Sequence, residues 1–99
     1  MKHLILAIAL ILPLSVGAYD PDHLTLLKET NECPKCDLSG ANLKGANLRG
    51  AFLMSANLDG AYLKGANTKY ASMKGAILCN TTMPDGRVIY SGCPPFESK

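Results

Sequence analysis

Histidine is almost absent from this chain: His3 stands in the first few residues, and His23 is the other. A nucleophile, histidine and carboxylate relay would have to be built on one imidazole, and the serines show no partner arrangement that would support one. Long apolar runs are also missing. Leu4 through Leu12 is interrupted by Pro13 and falls well short of the roughly 20 residues that cross a bilayer, so no lasting transmembrane segment is expected. Charge of one sign is equally scarce. Ten basic residues stand against eight acidic ones, a net charge of +2, which gives no broad footprint for nucleic acid. No phosphate-cradling loop is present, because the glycines recur at a fixed period without the strand, helix and lysine context of such a loop. Asp37, Asp59 and Asp85 are scattered and do not form an acid and base pair, while Asp85 sits in a turn where backbone capping accounts for it.

What is present is a period of five. Ten consecutive five-residue units run from Cys36 to Asp85, centred on Leu38, Leu43, Leu48, Leu53, Leu58, Leu63, Thr68, Met73, Leu78 and Met83. Two positions before each centre stand Cys36, then alanines from Ala41 to Ala76, then Thr81. This period fits neither the 3.6 of a helix nor the alternation of a strand. A chain that turns a corner in every unit resolves the conflict, pointing the small and the large apolar residue inward together, with the long axis built by stacking.

The units Ala41-Asn42-Leu43-Lys44-Gly45, Ala46-Asn47-Leu48-Arg49-Gly50, Ala56-Asn57-Leu58-Asp59-Gly60 and Ala61-Tyr62-Leu63-Lys64-Gly65 resemble the pentapeptide-repeat family. The resemblance covers about half of the chain. It implies an all-β fold, a right-handed quadrilateral β-helix with four units per coil, hence about two and a half coils of β-solenoid. Departures come late, where Thr68, Met73 and Met83 replace leucine and Tyr70 replaces glycine. The family's members share no single activity. Some relatives imitate DNA with an extended acidic face, and this repeat block does not, carrying Lys44, Arg49, Lys64, Lys69 and Lys74 against Asp37, Asp59 and Asp85.

Residues outside the repeats are expected to process, cap and staple it. Met1-Lys2-His3, the apolar run and Val16-Gly17-Ala18 have the anatomy of a secretory signal peptide over 1–18, with cleavage before Tyr19 and a periplasmic or secreted destination. Loss of Lys2 then leaves nine basic residues against eight acidic ones. Residues 19–35 read as an N-terminal cap, in which Asp20 and Pro21 start a short helix and Leu24, Leu26 and Leu27 cover the first coil. The repeats fill 36–85, and 86–99 form a C-terminal cap and tail with a turn at Pro84-Asp85-Gly86, a short strand at Arg87-Val88-Ile89-Tyr90 and a stop at Pro94-Pro95.

Four cysteines, Cys33, Cys36, Cys79 and Cys93, suit an oxidising compartment. Three pairings are open, and the economical one joins Cys33 to Cys36 and Cys79 to Cys93, clipping each end of the stack. Cys33-Pro34-Lys35-Cys36 also invites a competing reading as a small thiol-disulfide exchange protein, with Lys35 lowering a thiolate pKa. Against it, Cys36 falls in phase as an inward position and the strand-to-helix setting of such enzymes is missing. A four-cysteine zinc site would need both ends of the stack to meet. Neither metal nor cofactor is expected. Asn80-Thr81-Thr82 fits a glycosylation acceptor where the host has that machinery.

Function is expected on the surface. With residues twenty apart stacked, Lys44 lies beside Lys64, Arg49 beside Lys69 and Met54 beside Lys74, so two neighbouring faces become basic. Phe52 and Tyr62, where asparagine is otherwise usual, with Met54, form a second candidate docking patch. These residues mark a non-enzymatic structural or interaction module. Its expected partner is a protein or an anionic envelope component, with homodimerisation a further mode and nucleic acid not expected.

Overall fold

The computed structural model describes residues 18–94. The leader assigned to 1–18 lies, apart from Ala18, outside the described residues, as do Pro95 and the rest of the tail.

Helix α1 (Pro21–Thr30) starts where Asp20 accepts the N–H of Asp22 at 2.8 Å and Pro21, having no N–H to satisfy, enters the first turn. It stops at Asn31, which takes a left-handed φ of 60° and returns its N–H to Leu27 O. Leu27 is fully buried and Leu24 packs beside it, but Leu26 is 44% exposed. Adjacent helical positions are about 100° apart, so Leu26 cannot share the inward stripe of Leu24 and Leu27.

In the repeat block each unit from Leu38 to Met73 closes its own turn. The N–H of the small residue donates to the carbonyl three positions earlier, from Ala41 to Leu38 at 3.0 Å through Ala76 to Met73 at 2.9 Å. The third turn position has positive φ, +70° at Gly40 and +75° at Gly60, the signature of a type II turn. The asparagine side chain secures the same corner: Oδ1 of Asn42, Asn47, Asn57 and Asn67 accepts the N–H two residues on, at 3.0–3.2 Å. Alanine and leucine then face inward. Leu38, Leu43, Leu48, Leu53, Leu58 and Leu63 are each no more than 2% exposed, whereas Met73, Leu78 and Met83 are only partly buried.

Units are joined by single parallel bridges whose partners lie twenty residues apart. The first series runs Glu32, Phe52, Ser72, the second Asp37, Asn57, Ile77, the third Asn42, Tyr62, Thr82, and the fourth Asn47, Asn67.

These bridges do not amount to strands, and the expected all-β class is corrected accordingly. Among the described residues, regular structure consists of α1 and one unclosed antiparallel pair, β1 (Thr81–Thr82) with β2 (Val88–Ile89); the repeat block is turns and isolated bridges and not a curled β-solenoid. The physical reason is the turn itself. A type II corner in every five residues leaves one residue per unit free to bridge, and a strand needs consecutive bridged residues.

At the C-terminal end, the turn closed by Gly86 N–H on Met83 O brings β2 back onto β1, pairing Thr81 with Ile89 and Thr82 with Val88. Thr81 replaces the usual alanine and is fully buried, its Oγ1 donating to Leu58 O at 2.7 Å. Gly92 donates to Leu78 O at 3.0 Å. A Cβ on Gly92 would stand 2.9 Å from the Leu78 nitrogen, so this approach requires glycine. Disulfides join Cys33 to Cys36 and Cys79 to Cys93.

Candidate functional site

The bridge register brings two charged stretches together. Gly45 N–H donates to Lys64 O at 2.9 Å and Gly50 N–H to Lys69 O at 2.8 Å, so residues 41–50 lie directly against 61–70. Neither stretch contains an aspartate or glutamate, and Lys44, Arg49, Lys64 and Lys69 are all exposed. Their like charges have no internal neutralisation on this part of the surface, which therefore carries a positive potential toward solvent.

Tyr70 belongs to this surface, a role its sequence position shows only as a tyrosine standing where most units have glycine. Its ring is 72% exposed, with the Arg49 guanidinium carbon 4.7 Å and the Lys69 ammonium 5.8 Å from the centroid. Its φ of +63° is rare for a bulky side chain. The turn imposes that conformation, and the ring then stands within reach of both cations.

The aromatic patch is not assembled. Phe52 bridges Glu32 and Ser72 in the first series, whereas Tyr62 bridges Asn42 and Thr82 in the third, with the Asn57 series between them along the chain. Met54 and Lys74 follow the first series, linked by Ser55 N–H on Lys74 O at 2.9 Å. Tyr62 instead accompanies Lys44 and Lys64.

Cys33 is fully buried and Cys36 is 4% exposed, both within the apolar core. An attacking thiolate needs an open approach to the sulfur, which this packing denies. Among the described residues, no group of three or more His, Cys, Asp or Glu side chains is placed to hold a metal ion. No helix there is long and apolar enough to cross a membrane.

His23 does more than stand on the helix. Its Nδ1 accepts the Asp37 N–H at 2.9 Å, while Nε2 lies 3.5 Å from Asp20 Oδ2. The lone pair on Nδ1 places the ring proton on Nε2, facing the Asp20 carboxylate. Asp20 N–H also donates to Asp37 O at 3.1 Å, so α1 holds both backbone groups of Asp37.

The Ser39 hydroxyl, donating to Asp37 Oδ1 at 2.6 Å, and then the Ser39 N–H hold the Asp37 carboxyl below its usual range, with partial burial opposing them. A folded-state value below the unfolded one makes Asp37 stabilising above the unfolded pKa, and that contribution is lost as pH falls through the folded value. The melting temperature is expected to decline below about pH 4, and Ser39→Ala is expected to flatten the decline. An unchanged slope in Ser39→Ala would show that Asp37 does not contribute to acid sensitivity.

The model of the family described as Pentapeptide repeats (8 copies) matches residues 36–67 and 56–85, together 36–85. The chain belongs to the pentapeptide-repeat family. No curated protein and no solved structure matches it. Its acid-free surface is thus carried by units 41–50 and 61–70 of a pentapeptide-repeat domain, with a helical cap before it and a stapled tail behind.

Proposed function

We propose that this pentapeptide-repeat protein is a non-enzymatic, exported interaction module that meets an acidic protein or anionic envelope component through Lys44, Arg49, Lys64 and Lys69. The observation that carries the reading is the registered pair of stretches 41–50 and 61–70, which holds four cations and no carboxylate. Residues that only keep a surface soluble are served equally well by mixed signs, and segregating one sign onto adjoining tiers favours a partner of the opposite sign. Export is supported by the joining of all four cysteines, which suits an oxidising compartment.

The test uses immobilised polyglutamate and, separately, vesicles containing an anionic phospholipid. Wild-type protein is expected to be retained on one of them at low salt and released as salt rises. Reversal of the four cations to glutamate is expected to abolish retention with the disulfides and melting temperature preserved; retention unchanged by that reversal would refute the reading. Mass determination of exported protein is expected to show a chain beginning at Tyr19.

A further inference from the structure

In each parallel bridge of this stack, the later residue directs both its N–H and its C=O at the earlier tier: Tyr62 N–H donates to Ala41 O at 2.9 Å, and Tyr62 O accepts Leu43 N–H at 2.8 Å. The first residue of each series therefore presents its own N–H and C=O to the open N-terminal edge. Two of the four are sealed. Glu32 N–H is taken by Thr30 Oγ1 at 3.0 Å, and that hydroxyl shares its proton between Leu26 O at 2.8 Å and Glu32 O at 3.2 Å. Asp37 is held by His23 Nδ1 and Asp20 N–H. Among the described residues, no protein group pairs with the backbone N–H or C=O of Asn42 or Asn47; Asn31 Nδ2 reaches only Arg49 O, at 3.3 Å.

A cleft of ≈ 280 Å³ lies at these two open residues, with Lys28 of α1 and Lys44 among its walls. Its lining also includes Leu43 and Leu48, which are almost fully buried, and it contains no carboxylate. The ion pairs among the described residues are His23 with Asp20 and Arg87 with Asp85, so neither lysine is neutralised by a carboxylate among them. Asn42 and Asn47 have already committed Oδ1 to Lys44 and Arg49 N–H, leaving their amide NH₂ groups as donors.

We propose that this edge is a binding site for an acidic peptide that is extended at each bridge and turns with the corner between Asn42 and Asn47. Its backbone would pair with the N–H and C=O of Asn42 and Asn47, and its carboxylates would meet Lys28 and Lys44. Paired donors and acceptors on an edge are complementary to another extended backbone, the chemistry of strand addition. The lysines select charge, and the apolar floor takes an intervening side chain. The proposal rests on the interaction reading above and names the class of partner, but it uses Lys28, which that reading does not.

The test takes the full chain with a blocked hexapeptide of alternating valine and glutamate, its valine and lysine counterpart, and a sulfated heparin disaccharide. The acidic peptide is expected to bind and to slow amide hydrogen exchange at Asn42 and Asn47 about tenfold or more, leaving Glu32 and Asp37 unchanged. Lys28→Glu is expected to weaken it about fivefold or more and Lys69→Glu less than about twofold. Equal weakening by both variants, with no protection of Asn42 and Asn47, would overturn the edge site while leaving the general basic surface intact. Protection by the disaccharide and not by the peptide would overturn the peptide assignment. Protection that rises with protein concentration alone would assign the edge to a second copy.

Discussion

Leu58→Ala is expected to remove about 2–5 kcal/mol of folding free energy, a large share of the roughly 5–10 kcal/mol that a domain of this size has to lose. Leu58 is fully buried in the middle tier, with Leu38 and Leu78 twenty residues away on either side. The tiers above and below are tied to the same corners by Asn57 N–H on Cys36 O at 2.8 Å and Leu58 N–H on Ile77 O at 3.0 Å. Neighbouring side chains therefore cannot close over the missing isobutyl group without moving bridged backbone, so the cavity persists. The backbone carbonyl of the same residue also accepts the Ala61 N–H and the buried Thr81 hydroxyl, concentrating corner and tail contacts at one place. Leu26→Ala, on the outer side of α1, is expected to change stability by no more than about 0.5 kcal/mol. Urea titration with an unchanged m-value reads both. A loss under about 1 kcal/mol for Leu58→Ala would show that the stack relaxes around the gap and is not held by its bridges.

Removing the Cys79–Cys93 bond is expected to cost about 3 kcal/mol, against about 2 kcal/mol for the shorter Cys33–Cys36 link, on a chain-entropy account. The sequence separations are 14 and 3. Location separates the two bonds more sharply than size. The longer loop contains β1, the turn and β2, and its closure holds Gly92 against Leu78, which is itself only partly buried. A double Cys79→Ser, Cys93→Ser variant is therefore expected to open from the tail, and trypsin is expected to cut first after the exposed Arg87 while the earlier tiers remain protected. Simultaneous cutting throughout the repeats would show that tail and stack unfold as one unit. The double alanine replacement of Cys33 and Cys36 should leave Arg87 resistant, since those sulfurs are packed at the other end beneath α1. Native alkylation should label none of the four cysteines, the result that separates a stapled module from a thiol-disulfide exchanger.

The inward residues were legible because leucine and alanine recur in phase, and a buried position tolerates few alternatives. The α1 cap was legible from Asp20 and Pro21, each of which satisfies a specific need at a helix start. Leu26 was misjudged because apolarity alone does not say which side of a helix a residue occupies when its neighbours are apolar too. The strands expected between corners did not form, for a reason repeated along the block: a corner with a residue at positive φ leaves one position to bridge, and at Asn42, Asn47, Asn57 and Asn67 the side chain hooks that corner as well. The link from His23 to Asp37 had no local signal, since it joins residues 14 apart through a ring nitrogen and a backbone N–H. The cationic stretches could be placed from spacing alone, but the cleft beside Lys28 could not, because it depends on which edge groups α1 happens to cover. Tyr70 was visible as an exception to the glycine rule, and its contact with Arg49 became visible only with the tiers in register.

The twenty-residue spacing of the bridges has a consequence for how such a chain can lengthen. Duplicating one five-residue unit preserves every inward alanine and leucine, so the interior accepts it. Every residue downstream is nevertheless advanced by one series, and Lys64 would leave Lys44 for the neighbour that now stands twenty positions away. Only a duplication of four units restores both interior and exterior. The core thus reads its own sequence in words of five and the surface in words of twenty, so the same insertion can be silent to folding and still rewrite everything a partner would touch.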